Sequence, residues 1–155
     1  MPDDLYDRDV LEWSERQADL LRRVANGERV NEVDWANVIE EIEDVGNERL
    51  NAVHSYLRQA MIHLLKLHLM PADEANRHWF SELGNFLDDA EQRFTPSMRQ
   101  RIELATVYRK ARTRVLEDYP EHNIIEVCPW TLDELLTTDR RSLLSMLASG
   151  SSGRT

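Results

Sequence analysis

Apolar residues recur at helical spacing through most of the chain. The longest such run is 34–70, DWANVIEEIEDVGNERLNAVHSYLRQAMIHLLKLHLM, which holds no Pro and a single Gly. Within it Trp35, Val38, Ile39, Ile42, Val45, Val53, Leu57, Ala60, Met61 and Leu64 fall on one side of an α-helix. The pattern predicts one helix over about 34–69, roughly 50 Å long at about 1.5 Å per residue. Asp34 is its expected N-cap, with Val33 and Val38 at the positions of a hydrophobic staple. A stripe this long is expected to need partner helices along its length. Gly46 lies on the apolar side, so a close helix crossing is expected there.

Three further amphipathic segments follow the same logic. Capped by Asp3 or Asp4, a first helix shows Tyr6, Val10, Trp13, Gln17, Leu20, Leu21 and Val24 on one face and ends at Asn26-Gly27. After the break at Met70-Pro71, a third carries Trp79, Phe80, Leu83, Phe86, Leu87, Ala90 and Phe94. Thr95-Pro96 is read as the start of a fourth, with Met98, Ile102, Ala105, Tyr108, Val115 and Tyr119 inward. Residues 120–129 read as irregular. Thr131-x-x-Glu134 is a capping-box pattern opening a short C-terminal helix with Leu132, Leu135 and Leu136, with an extension through Leu147 left open by the pattern. The fold class is therefore all-α: a four-helix, mainly antiparallel bundle with one long helix and a short C-terminal helix. Residues 1–148 are expected to form a single helical domain, and 149–155, SGSSGRT, a disordered tail.

Composition narrows the classes of function. Nineteen Lys and Arg stand against 29 Asp and Glu, for a net charge of −10, which argues against wholesale binding to nucleic acid backbones. No apolar run approaches the roughly 18 residues of a membrane span. The N-terminus, MPDDLYDRDV, has no basic or apolar segment of a signal peptide, and the single cysteine, Cys128, suits a reducing compartment. A cytoplasmic location is expected. Acidic residues concentrate over 28–48 and basic ones over 99–114, and an acidic and a basic helix in one bundle are expected to face each other.

Several of these residues form a recognisable set. They are Leu5-Tyr6-x-x-Asp9 with Trp13, Asn37-x-x-Glu40-Glu41-Ile42-Glu43-x-x-Gly46, His63-Leu64-Leu65-Lys66, Trp79, Pro96-Ser97, Tyr108-x-x-Ala111 and Cys128-Pro129-Trp130-Thr131. In this set, from about Leu5 to Leu136, the chain resembles the bacterial family known as domain of unknown function 29. Trp130 stands where that pattern would have Tyr. The resemblance implies a helical fold and no established activity, and it lends no catalytic residue.

The residues themselves offer few routes to chemistry. A metal site would draw on Glu43, His63 and His78, yet the Glu-x-x-His pairs of a di-iron bundle and any His-x-x-x-His pair are missing. Cys128 has no activating helix start behind it, and no Gly-x-Ser-x-Gly turn or Gly-rich phosphate loop occurs. No cofactor is expected. The reading preferred on these grounds is a non-enzymatic module that binds another protein or itself, the latter as a homodimer. Its positive support is the overhang of the long helix and the apolar tail Leu143, Leu144, Met146 and Leu147. Glu40, Glu41, Gly46, Lys66, Trp79 and Trp130 are its interaction or structural candidates. The alternatives are a metal-dependent enzyme with a Glu/His site and a nucleic-acid binder using the basic fourth helix.

Overall fold

In the computed structural model, residues 4–151 are described, and every regular element among them is helical. The order is α1 (Leu5–Arg8), α2 (Val10–Ala25), α3 (Trp35–Leu69), α4 (Asn76–Arg93), a 3₁₀ turn (Pro96–Met98), α5 (Leu104–Asp118), α6 (Leu132–Thr137) and α7 (Arg140–Ser151). The chain divides into two compact units, the first ending at Glu48 and the second beginning at Arg49, so that α3 runs through the boundary. No helix among the described residues is long and apolar enough to cross a membrane.

The first unit is α1, α2 and the start of α3. Its core is Leu5, Trp13, Leu20, Val33 and Val38, which includes both residues of the expected staple. Asp3 lies outside the described residues, and Asp4 makes no side-chain cap bond. The expected first helix is instead broken at Asp9, whose carboxylate accepts from the Glu12 amide and restarts the chain as α2. Gly27, with φ at 87°, takes the left-handed conformation that ends α2.

The second unit packs the rest of α3 with α4 to α7. Val53, Leu57, Ala60, Met61, Leu64 and Leu65 of α3 are buried, together with Trp79, Leu83, Leu87 and Ala90 of α4 and Val107, Tyr108, Ala111 and Val115 of α5. The Thr95-Pro96 signal opens only the 3₁₀ turn, and α5 starts later, at Leu104. The C-terminal helix is two helices. Thr131 and Glu134 close the expected capping box on α6, and Asp139 caps α7 by accepting from the Ser142 amide at 2.9 Å. α7 reaches Ser151, three residues beyond the expected limit of order; 152–155, the rest of the expected disordered tail, lie outside the described residues. Leu143 and Leu147 are fully buried, and Leu144 and Met146 pack against the same core. The apolar tail is therefore interior, not a surface for a partner.

The expected crossing at Gly46 is absent. A Cβ built there would meet nothing within 4 Å. Close approach occurs at Gly84 instead, where a Cβ would lie 3.0 Å from the Arg140 guanidinium, itself bonded to the Phe80 carbonyl at 2.6 Å. Exposed glycine inside a helix costs backbone entropy without any packing return. Gly46→Ala is thus expected to stabilise the protein by about 0.5–1 kcal/mol in urea denaturation. A destabilised variant would mean that a neighbour covers the position.

Candidate functional site

The first half of α3 presents its two sides the opposite way from an ordinary amphipathic helix. Apart from Val38, polar residues make its contacts with α1 and α2. The Tyr6 hydroxyl donates to Glu41 at 2.5 Å, the Trp13 indole donates to Asp34 at 3.0 Å, and the Asp34 amide donates to the buried Gln17 at 2.8 Å. Hydrogen bonding to Glu41 and partial burial push the Tyr6 phenol up to about 12. Asn37 and Trp13 hold the Asp34 carboxyl below its ordinary value, against an opposing contribution from burial. Trp35, Ile39, Ile42 and Val45 meanwhile stand 52%, 53%, 68% and 54% exposed, with Gly46 open beside them. Val38 is the buried apolar residue of this half. The expectation of partner helices along the full stripe therefore fails over its first half. Glu43, exposed, lies at the margin of the apolar positions, while Glu40 and Glu48, also exposed, fall on the far side of the helix.

The metal candidates are not gathered. Glu43 is an exposed residue of the first unit. His63 belongs to the second, half-buried against the edge of Phe86, with Nδ1 donating to the Gln59 carbonyl at 2.8 Å. Burial lowers its pKa, with Lys66 adding in the same direction. His78 is exposed on α4. Among the described residues no group of three or more His, Cys, Asp or Glu side chains is placed to hold a metal ion.

Of the structural candidates, two meet. The Lys66 ammonium sits 4.3 Å from the centre of the buried Trp79 ring, and burial lowers its pKa. Trp130 is interior, its indole donating to the Leu143 carbonyl. Cys128 donates to the Trp130 carbonyl at 3.3 Å, and burial raises its pKa, which favours the neutral thiol. The basic stretch finds partners other than the acidic helix start expected for it: Arg99 pairs with Asp133, Arg114 with Asp118, and Arg112 donates twice to the Ile124 carbonyl.

One feature of the second unit was not anticipated from the pattern of residues. Two adjoining clefts, of about 390 and 400 Å³, open between α3 and α5 and share Arg58 and Lys110 in their walls. The basic character of α5 is legible in the sequence, but nothing in the sequence pairs it with Arg58.

A family model described as domain of unknown function DUF29 matches residues 5–140. A solved alpha-helical protein of unknown function from Rhodospirillum rubrum is similar over 92% of this chain and 96% of its own, at 24% identity and a TM-score of 0.70. At that identity the likeness is one of fold. A search of curated proteins gives no match.

Proposed function

The chain belongs to the DUF29 family, and from that premise we propose that it is a non-enzymatic docking module whose first unit takes up an amphipathic helix of another protein. The observation that carries this reading is the exposure of Trp35, Ile39, Ile42 and Val45 together on one helix. A run of large apolar side chains left in water on a regular helix is costly unless something covers it. Helix-in-groove recognition reads such positions at their i, i+4, i+7 spacing. Glu43 at the margin of that face, in a chain of net charge −10, sets the preferred charge of the partner. A second copy would bring like charges together, whereas a helix with Lys or Arg beside its apolar stripe complements them. The reading assumes a cytoplasmic module working without a cofactor, supported by the single, neutral Cys128. It keeps the four-helix, mainly antiparallel bundle as the finer architecture, supported by the short connections 26–34, 70–75 and 94–103.

Trp35 supplies the reporter, because Trp13, Trp79 and Trp130 are all buried. Two synthetic helical peptides with the same apolar stripe, one flanked by Lys and one by Glu, are titrated against quencher-accessible tryptophan emission. The Lys peptide is expected to shift that emission to the blue, and Ile39→Glu with Ile42→Glu to weaken its binding by about tenfold or more. The same double variant is expected to change stability by no more than about 0.5 kcal/mol per site. Loss of folding in the variant, or equal binding of both peptides, would overturn the reading. Sedimentation as a dimer that the variant dissociates would identify the occupant as a second copy.

A further inference from the structure

We propose that the paired clefts between α3 and α5 form a binding site for a compact polyanion carrying phosphate groups. The first cleft is walled by His54 and Arg58 of α3, Lys110 of α5, and Arg101 and Glu103 just before α5. The second is walled by Arg58, His63 and Lys66 on one side and Lys110, Arg114 and Asp118 on the other. Five cationic side chains thus face two carboxylates, in a chain whose carboxylates outnumber its cations by ten.

The two carboxylates offset two of the five positive charges and leave a net excess of three. Asp118 is held by Arg114 at 3.3 Å, and Glu103 lies against the Thr106 hydroxyl at 3.4 Å. The side chains of Arg58, Arg101 and Lys110 make no hydrogen bond or ion pair with any described residue, although acidic side chains are abundant. Their charges converge on concave walls, where low-dielectric surroundings strengthen attraction for an anion. Arg58 is half-buried, so part of its desolvation has already occurred before any ligand arrives. Asn51, Ser55 and Thr106 add neutral polar groups in the first cleft.

The shape selects among anions. Each cleft falls in the size range of small-molecule sites, roughly 300–1,000 Å³. Arg58 and Lys110 stand in the walls of both, so a ligand with charge at each end bridges across them. No Phe, Tyr or Trp lines either cleft, so a nucleotide base or single strand finds only imidazole and guanidinium planes to stack on. Duplex nucleic acid meets the opposing net charge of −10. Guanidinium forks match phosphate and carboxylate oxygens alike, so the two chemistries are separated by experiment.

The test is isothermal titration of the full chain at low ionic strength with tripolyphosphate, citrate and a random-sequence DNA duplex. Tripolyphosphate is expected to bind at one site and more tightly than citrate or the duplex. Lys110→Gln, at an exposed position that leaves folding intact, and Arg58→Gln are each expected to weaken it by about tenfold or more. Arg22→Gln, on α2, is expected to leave it unchanged. No binding by about 1 mM tripolyphosphate overturns the proposal. So does binding that Lys110→Gln and Arg22→Gln affect equally, or tighter binding of citrate or of the duplex.

Discussion

Trp130→Ala is expected to cost the second unit about 3–5 kcal/mol in urea denaturation followed by circular dichroism. The ring is 3% exposed and meets Tyr108 edge-on at 6.0 Å between centroids, and its indole donates to Leu143 of α7 at 2.9 Å. Truncation removes a large aromatic volume from between α5 and α7 and the bond that ties their connecting segment down. The remaining ties of that segment are the Tyr108 hydroxyl on the Ile125 carbonyl at 2.6 Å and Arg112 on the Ile124 carbonyl. Beyond that segment, α6 and α7 are held by the packing of Leu135, Leu143 and Leu147, the Arg99–Asp133 ion pair and the Arg140 bond to the Phe80 carbonyl. Trp130→Phe separates the contributions, since it keeps most of the packing and loses one hydrogen bond, worth about 1 kcal/mol. A loss below about 1 kcal/mol for the alanine variant would show that the C-terminal helices do not depend on this ring.

Helix content was legible because a 3.6-residue period is written by side chains close in sequence. The limits of α3 followed from Asp34 and Met70-Pro71, and the α6 cap from Thr131 and Glu134. Two breaks were missed for a common reason. Asp9 and Asp139 are short acidic side chains that can sit on an exposed helix face or capture a backbone amide, and the periodicity continues unbroken through either choice. Thr95-Pro96 marks the start of a 3₁₀ turn and not of the fourth helix expected there, which begins at Leu104.

The candidate surfaces were legible in part. Periodicity states which residues share a face and says nothing of whether a neighbour covers it. Trp35, Ile39 and Ile42 carry the same spacing as Val53, Leu57 and Ala60, yet the first three are exposed and the second three buried. The clue was the polar content of the other side, where Asp34, Asn37 and Glu41 would be misplaced on a wholly solvated face if Tyr6, Trp13 and Gln17 needed partners. The clefts were not legible at all, because Arg58 and Lys110 are brought together only by the packing of α3 on α5.

Asp34→Ala tests that inward-facing polar network and is expected to cost the first unit about 2–4 kcal/mol. Two losses add. One is the N-cap of α3, worth about 0.5–2 kcal/mol. The other is the acceptor of the Trp13 indole, whose ring is buried, so that an unpaired N–H is left at a cost of about 1–3 kcal/mol. Asp34→Asn keeps one acceptor oxygen and is expected to recover part of the difference. The pH dependence carries a definite sign. The Asn37 amide, at 2.7 Å, is the main group holding the Asp34 carboxyl below its ordinary value, with Trp13 and the Asn37 backbone amide helping against burial. A carboxyl depressed in the folded state contributes stability that is complete above its unfolded value, about 3.9, and is lost as pH falls through the folded value. The gap between wild type and Asp34→Ala is therefore expected to be constant from neutral pH down to that point and to narrow below it. Urea denaturation at a series of acidic pH values measures the gap. A gap that stays the same throughout would mean that the ionised carboxylate is not what Trp13 and Asn37 recognise, and that the cap acts through shape alone.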